Sequence, residues 1–114
     1  MPNPSTISYG NIKAQWVLAI TISPSSVAPN TTVEQTFTVN GLLLGDMVDI
    51  SKPTTQTGLG IVNTRVSAAN TLAIAFINAT AATITPTANE IYYIEVSRPE
   101  NLTSNNSALT QIVS

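Results

Sequence analysis

The strongest constraint on the fold is a stretch of alternating residues in the second half of the chain. Leu72, Ile74 and Phe76 occupy every second position, and Ala73 and Ala75 stand between them. Successive side chains of a β-strand point to opposite faces, so this spacing places the three large residues on one face and the alanines on the other. Because the residues on both faces are apolar or small, the sequence predicts a central strand of a packed sheet.

A hairpin is predicted immediately before this strand. Residues 67–70 form a short segment that ends in Asn70, a residue type that tolerates the left-handed backbone of tight turns. For residues 79–89, where Pro86 follows a threonine-rich stretch, the sequence predicts a loop with a short strand or a single turn. Alternation predicts the remaining strands over residues 14–22, 31–39, 47–51, 59–66 and 90–97.

These strands define the expected architecture. The chain is rich in Thr, Val and Ile, which favour pleated sheet over helix. Short strands separated by Gly, Pro and Asn turns predict an all-β fold, a single antiparallel β-sandwich that is jelly-roll-like or Greek-key. We expect extended N- and C-terminal segments, each either an irregular terminus or a contact arm. The predicted limits are residues 1–13 for the N-terminal arm, 14–97 for the β-sandwich domain and 98–114 for the C-terminal tail.

The composition argues against several classes of function. The chain has no Cys and no His, so disulfides, thiolate metal sites and the usual general base of Ser and Cys hydrolases are not available. Charged residues make up 9% of the chain, against about 25% in a typical soluble domain. Four scattered basic residues do not form a nucleic-acid-binding stripe. We therefore expect no direct nucleic acid partner, no cofactor, no membrane span or signal peptide, and synthesis in the cytoplasm.

Two carboxylates stand three residues apart, Asp46 and Asp49, at a predicted turn-to-strand junction. A calcium site needs more oxygen ligands, and no repeat supplies them. A paired-carboxylate hydrolase would have to combine one of these residues with Glu90 or Glu95. We favour a structural reading, with Asp46 in a turn and Asp49 on a solvated strand face, and we assign no catalytic, metal or cofactor-binding residue.

Three other residue types could contribute to a site. Arg65 is predicted to pair with Asp46, Asp49 or Glu95, or to reach a neighbouring subunit. Tyr92 and Tyr93 point to opposite faces of one strand, so at most one of them belongs to the core. The single tryptophan, Trp16, is either a core residue or an interface anchor, because Trp is frequent in both settings.

Several segments of this sequence resemble segments of a known class of virion protein. They are the segments 39–48, 65–72 and 76–80, and the dipeptide Thr85-Pro86. Together they lie within residues 37–97 and resemble small β-sandwich proteins of tailed bacteriophages, above all the capsid cement or decoration proteins. In several phages these are jelly-roll-like domains that assemble as trimers on the head lattice.

The resemblance implies a non-enzymatic role on the outer surface of the capsid. The partner would be the major capsid protein, bound at junctions between subunits so that the expanded phage head is stabilised, and the chain itself would be a homo-oligomer, with a trimer favoured. Multivalent contacts through the two terminal segments would suit such a lattice clamp. The candidate interface residues are Ile7, Tyr9, Ile12, Trp16, Leu109, Ile112 and Val113.

Two alternatives come from other functional classes. The first is a carbohydrate- or cell-surface-binding β-module of a phage fibre or other appendage, which would need an exposed aromatic platform built from Trp16, Tyr92 or Tyr93. The second is a small carboxylate-dependent hydrolase using Asp46 and Asp49.

Overall fold

The computed structural model describes residues 11–100 of the chain. This part contains six β-strands and no helix. The strands lie in two three-stranded antiparallel sheets, ordered β1-β6-β3 and β2-β5-β4. This confirms the predicted all-β sandwich. The strands are β1 (Ile12–Ile22), β2 (Thr31–Thr38), β3 (Met47–Ser51), β4 (Leu59–Ala68), β5 (Thr71–Asn78) and β6 (Glu90–Pro99).

The order of the strands is that of a small jelly roll. β1 pairs with β6 and β2 pairs with β5, so the first two strands run alongside the last two as a two-stranded ribbon. β3 then joins the free side of β6, and β4 joins the free side of β5. The ribbon thereby wraps into two facing sheets, as in larger jelly rolls of about eight strands.

The stretch with the clearest alternation is the centre of its sheet. β5 has β2 on one side and β4 on the other. Leu72, Ile74 and Phe76 are completely buried between the two sheets, while Ala73 and Ala75 are buried on the opposite face. The side chains of the flanking strands close over these alanines, which explains why both faces of β5 are apolar or small.

The predicted hairpin joins β4 to β5. Its turn contains only two residues, Ala69 and Asn70, and β4 extends to Ala68, two residues further than the alternation indicated. Asn70 has a φ of 59°, the left-handed conformation expected for it. Its backbone N–H donates to Leu42 O (2.8 Å) and its side-chain Oδ1 accepts from Gly41 N (2.8 Å). The hairpin turn thus also fixes the connection between β2 and β3.

The facing sheet contributes the other half of the core. Tyr92, Ile94 and Val96 of β6 are completely buried, and Trp16, Leu18, Ile20 and Ile22 of β1 are half-buried against them. β1 begins at Ile12, two residues before the predicted start of the domain at residue 14. β6 continues to Pro99, two residues beyond the predicted end at residue 97.

One buried amide organises the end of the sandwich opposite the termini. Asn78 is completely buried, and its Nδ2 donates to Val27 O (3.0 Å) and to Ala82 O (2.7 Å). Its Oδ1 accepts from Thr80 N (2.9 Å) and from Thr80 Oγ1 (2.7 Å). The loop after β5 is closed in this way, and Ile84 within it forms an isolated antiparallel bridge with Val27. That bridge is the short extended piece predicted for residues 79–89.

Candidate interaction surface

The end of the sandwich at which the chain enters and leaves is closed by an ion pair. Arg98, on the inner side of β6, donates from Nε to Asp46 Oδ1 and from Nη2 to Asp46 Oδ2, both at 2.8 Å. Arg98 Nη2 also donates to Gly41 O (2.7 Å), and the guanidinium lies 4.9 Å from the centre of the Trp16 ring. This cluster joins β1, β6 and the β2–β3 connection.

The same contacts explain the electrostatics of Asp46. The side chain is 2% exposed, yet the pKa of its carboxyl is lowered, first by the hydrogen bonds from Arg98 and then by the backbone N–H of Leu43. Asp46 is therefore ionised, and it lies in a turn, as the sequence predicted, with its backbone N–H donating to Leu43 O (3.0 Å). Trp16 is covered by Arg98 on one side and packs on the core, so it is not a freely exposed anchor.

A second polar cluster lies at the opposite end of β6. Lys52 Nζ is 3.0 Å from Glu90 Oε1, an ionic contact that lacks the geometry of a directed hydrogen bond. Thr54 Oγ1 donates to Glu90 Oε2, and Lys52 Nζ donates to Thr54 O (2.8 Å). The hydrogen bond from Thr54 is the main reason why the pKa of Glu90 is lowered, and Lys52 adds to the effect.

Tyr92 lies beside this cluster with its hydroxyl buried and, among residues 11–100, without a hydrogen-bond partner. Burial raises the pKa of Tyr92 to about 12, and the charge of Glu90 contributes to the shift. The Tyr phenol of the unfolded chain ionises near its ordinary pKa of about 10, whereas the folded one ionises near 12. Stability that is unaffected below about pH 10 should therefore be lost as the pH rises from about 10 to about 12, because only the unfolded chain ionises there.

The corresponding prediction concerns alkaline unfolding. The wild-type protein should lose stability over this pH range, whereas Tyr92→Phe should show a shallower loss, because Phe has no proton to release. At neutral pH the variant should be at least as stable as the wild type, since no group in the described part of the chain hydrogen-bonds to the removed hydroxyl. Denaturant midpoints measured from neutral to alkaline pH test this, and equal alkaline slopes for both proteins would contradict it.

The outer face of the β2-β5-β4 sheet is polar and internally paired. Arg65 of β4 donates from Nε and Nη2 to the two carboxylate oxygens of Glu34 on β2, at 2.8 Å each. The pair spans β5 above Ala73 and Ala75, which are small enough to lie beneath it. The predicted partners of Arg65 were wrong, because Asp46, Asp49 and Glu95 all belong to the β1-β6-β3 side of the sandwich.

The outer face of the β1-β6-β3 sheet, unlike that of the β2-β5-β4 sheet, exposes several large apolar side chains. In register across the sheet, Val17 lies beside Glu95, and Ala19 lies beside Tyr93. Large apolar side chains on this face are 45–65% exposed, and no aromatic residue of the described range is more exposed than Tyr93 at 48%. We call this face the apolar outer face for its exposed residues Val17, Met47, Ile91 and Tyr93, although it also carries the carboxylates Asp49 and Glu95.

Of the four carboxylates considered for a hydrolase, the structure brings Asp49 and Glu95 together and keeps Asp46 and Glu90 apart. Asp49 and Glu95 are cross-strand neighbours on the apolar outer face, whereas Asp46 and Glu90 point inward at opposite ends of the sandwich. Residues 11–100 contain no group of three or more side chains that could hold a metal ion. Two pockets lie in this range: one beside Lys52 and Leu59 has a volume of about 160 Å³, and one between β3 and β4, beside Asp49 and Asn63, has a volume of about 300 Å³, the lower end of the roughly 300–1,000 Å³ typical of ligand sites.

Most of the predicted contact residues lie outside the described range. Ile12 is 45% exposed at the start of β1, and Trp16 is half-buried behind Arg98. Sequence reasoning missed the apolar outer face, although large residues at the outward positions Val17, Ile91 and Tyr93 were a signal for it. The remaining predicted contacts, which the described residues do not include, are Ile7, Tyr9, Leu109, Ile112 and Val113.

The two terminal segments leave the sandwich at one point. Glu100 N donates to Asn11 O (2.7 Å), so the chain enters β1 and leaves β6 side by side. This end is also the one that the Arg98–Asp46 pair closes. Segments 1–10 and 101–114 are therefore attached to the body at the same place.

Comparison of the sequence with models of protein families and with curated proteins, and of the fold with solved structures, finds no match. The described part of the chain contains no helix long and apolar enough to cross a membrane. The function is therefore inferred from the geometry given above and from the resemblance of sequence segments to phage capsid cement proteins.

Proposed function

We propose that this chain is a non-enzymatic structural protein of a phage virion, a capsid cement or decoration protein that binds between major capsid subunits. The observation that carries the proposal is the hydrogen bond between Glu100 N and Asn11 O. Because of this bond, segments 1–10 and 101–114 join the sandwich side by side. A body with two attached segments can contact several neighbouring subunits at once, and each further contact is then intramolecular.

The ion pairs of the body support a structural role rather than a chemical one. Asp46, Glu34 and Glu90 are each engaged by a cation of the same chain, so these carboxylates hold elements of the fold together. The apolar outer face adds exposed side chains that a protein partner could contact, above all Val17 and Tyr93 on the neighbouring strands β1 and β6.

Carbohydrate binding is the alternative of a different class. Sugar-binding platforms require exposed aromatic rings, and among the described aromatic residues Tyr92 is buried and Trp16 is covered by Arg98. Tyr93 remains as a single exposed ring at 48%. The geometry therefore gives this alternative one aromatic contact, and the cement role remains our proposal.

Co-sedimentation with phage heads tests the proposed function. Expanded heads lacking the protein, prepared from the phage that encodes the chain, should bind added protein to saturation at a fixed number of copies per head. Unexpanded heads should bind less, because the junctions between their subunits are arranged differently. Binding to neither form of head, together with retention on a glycan array, would contradict the cement role and favour the carbohydrate-binding alternative.

A further inference from the structure

The four edge strands of the sandwich are not protected equally. Exposed edges carry unpaired backbone N–H and C=O groups, and natural proteins block them with short strands, bulges, charges or covering segments. β3 has only five residues, and the backbone of its Val48 accepts a hydrogen bond from Thr64 Oγ1 (3.0 Å). β4 has two register shifts against β5, after Ile61 and after Val66. Both of these edges are therefore poor templates for pairing.

β2 is covered in a different way. The side chain of Gln35 accepts from Ser25 N (2.7 Å) and donates to Ser25 O (2.9 Å), which holds the preceding connection against this strand. The ion pair of Glu34 with Arg65 places charge on its outer side. The β2 edge is thus protected both by a covering segment and by a charged pair.

Within residues 11–100, β1 has none of these protections along most of its length. It has 11 residues, it contains no proline, and its single register shift lies at its start, between Ile12 and Ala14. Lys13 is its only charged residue. Its outward residue Val17 is 65% exposed. Its inward residues are only half-buried, namely Trp16, Leu18, Ile20 and Ile22. No hydrogen bond within residues 11–100 joins β1 to β2, the edge opposite it.

We propose that the β1 edge pairs with β1 of a second copy of this chain, antiparallel and about a two-fold axis, so that two three-stranded sheets form one six-stranded sheet. This inference does not rest on the proposed function. It gives a symmetric dimer, whereas the resemblance to cement proteins implies a trimer. A two-fold axis makes the interface self-complementary, because each copy presents the same strand to the other.

The sequence of β1 favours one register for this pair. Side chains must keep their faces, so outward residues pair with outward residues. An axis through Val17, the midpoint of Ile12–Ile22, uses the full length of the strand. It places Lys13 opposite Thr21 and Gln15 opposite Ala19, so no like charges face each other. The apolar outer face, including Tyr93, then continues across the axis into the partner.

A single introduced cysteine tests the pairing directly, because the chain has no Cys of its own. Directly opposed residues of an antiparallel pair have Cα atoms about 4.5–5.5 Å apart, within the range that a disulfide spans. Under mild oxidation, Val17→Cys should give a reducible covalent dimer. Val62→Cys is the matched control, because Val62 is 53% exposed on β4. The dimer yield should be about tenfold higher for Val17→Cys, because the paired thiols have a high effective concentration.

A charge exchange tests the two-fold axis. Val17→Lys alone and Val17→Glu alone should each weaken the dimer of the full-length chain by about tenfold in Kd, since like charges would face each other. An equimolar mixture of the two variants should restore a mixed dimer in native mass spectrometry, while Val62→Lys should leave the dimer unchanged.

Three results would overturn the proposal. One is a wild-type chain that stays monomeric at every concentration measured, which includes the case where its own terminal segments occupy the β1 edge. Another is a trimer whose stability does not respond to substitution of Val17. The third is equal cross-linking of the Val17→Cys and Val62→Cys variants. Failure of the dimer would leave binding to phage heads to be decided by co-sedimentation, so the two proposals can fail independently.

Discussion

Replacing Asp46 with Ala should lower the free energy of unfolding by about 2–4 kcal/mol at neutral pH. The Asp46 side chain is 2% exposed and accepts hydrogen bonds from Arg98 and from the backbone N–H of Leu43. Without the carboxylate, the guanidinium remains against Trp16 with its counter-charge removed. Urea or guanidinium unfolding of the two proteins measures the difference.

The matched control is Glu34→Ala, which removes a bidentate pair of the same chemistry from the surface. Glu34 and Arg65 are 34% and 54% exposed, so water and salt already screen their attraction. We expect a much smaller loss of stability than for Asp46→Ala, and one that shrinks further with added salt. Equal losses for the two variants would show that burial of the Arg98–Asp46 pair has no special role.

The effect of Asp46→Ala should depend on pH in a defined direction. The pKa of Asp46 is lowered in the folded protein, so its contribution is present above the ordinary Asp range and is lost as the pH falls through the folded pKa. The stability difference between the wild type and the variant should therefore narrow in acid, below about pH 4. A difference that stays constant down to strongly acidic pH would contradict this assignment.

Replacing Asn78 with Ala should cost about 2–4 kcal/mol. Asn78 is completely buried, and both its amide nitrogen and its carbonyl oxygen make two hydrogen bonds. Alanine would remove all four contacts and leave the backbone N–H of Thr80 without the acceptor that Asn78 Oδ1 provides. Asn63→Ala is the control, because Asn63 is exposed on the outer side of β4.

Chemical denaturation and hydrogen exchange together test the role of Asn78. Asn63→Ala should unfold at nearly the wild-type midpoint, whereas Asn78→Ala should shift the midpoint and speed exchange at Val27 and Ile84, whose backbone groups bond to each other. Similar midpoints for the two variants would mean that the loop is held by other contacts.

Local patterns predicted much of the fold because strand geometry depends on nearby residues. The alternation of Leu72, Ile74 and Phe76 identified β5, and Asn70 marked its hairpin. The length of β4 was underestimated, since Ser67 and Ala68 carry no strand signal of their own and are held by pairing with β5. Pairing across the sheet overrides local propensity there.

The partners of charged residues could not be predicted in the same way. Arg98 and Asp46 are 52 residues apart in the sequence and meet only because β6 passes the β2–β3 connection. Arg65 reaches Glu34 because β5 happens to lie between their strands with alanines on that face. Periodicity also shows which residues share a face but not which face stays uncovered, so the apolar outer face was missed.

An image of the assembled particle tests the central claim, that this chain works by holding neighbouring subunits together. Cryo-electron microscopy of expanded heads with and without the protein should show added density at junctions between capsid subunits. That density should fit the two-sheet body, with the end that contains Asn11 and Glu100 directed at the shell. Identical maps with and without the protein at saturating concentration would contradict the account.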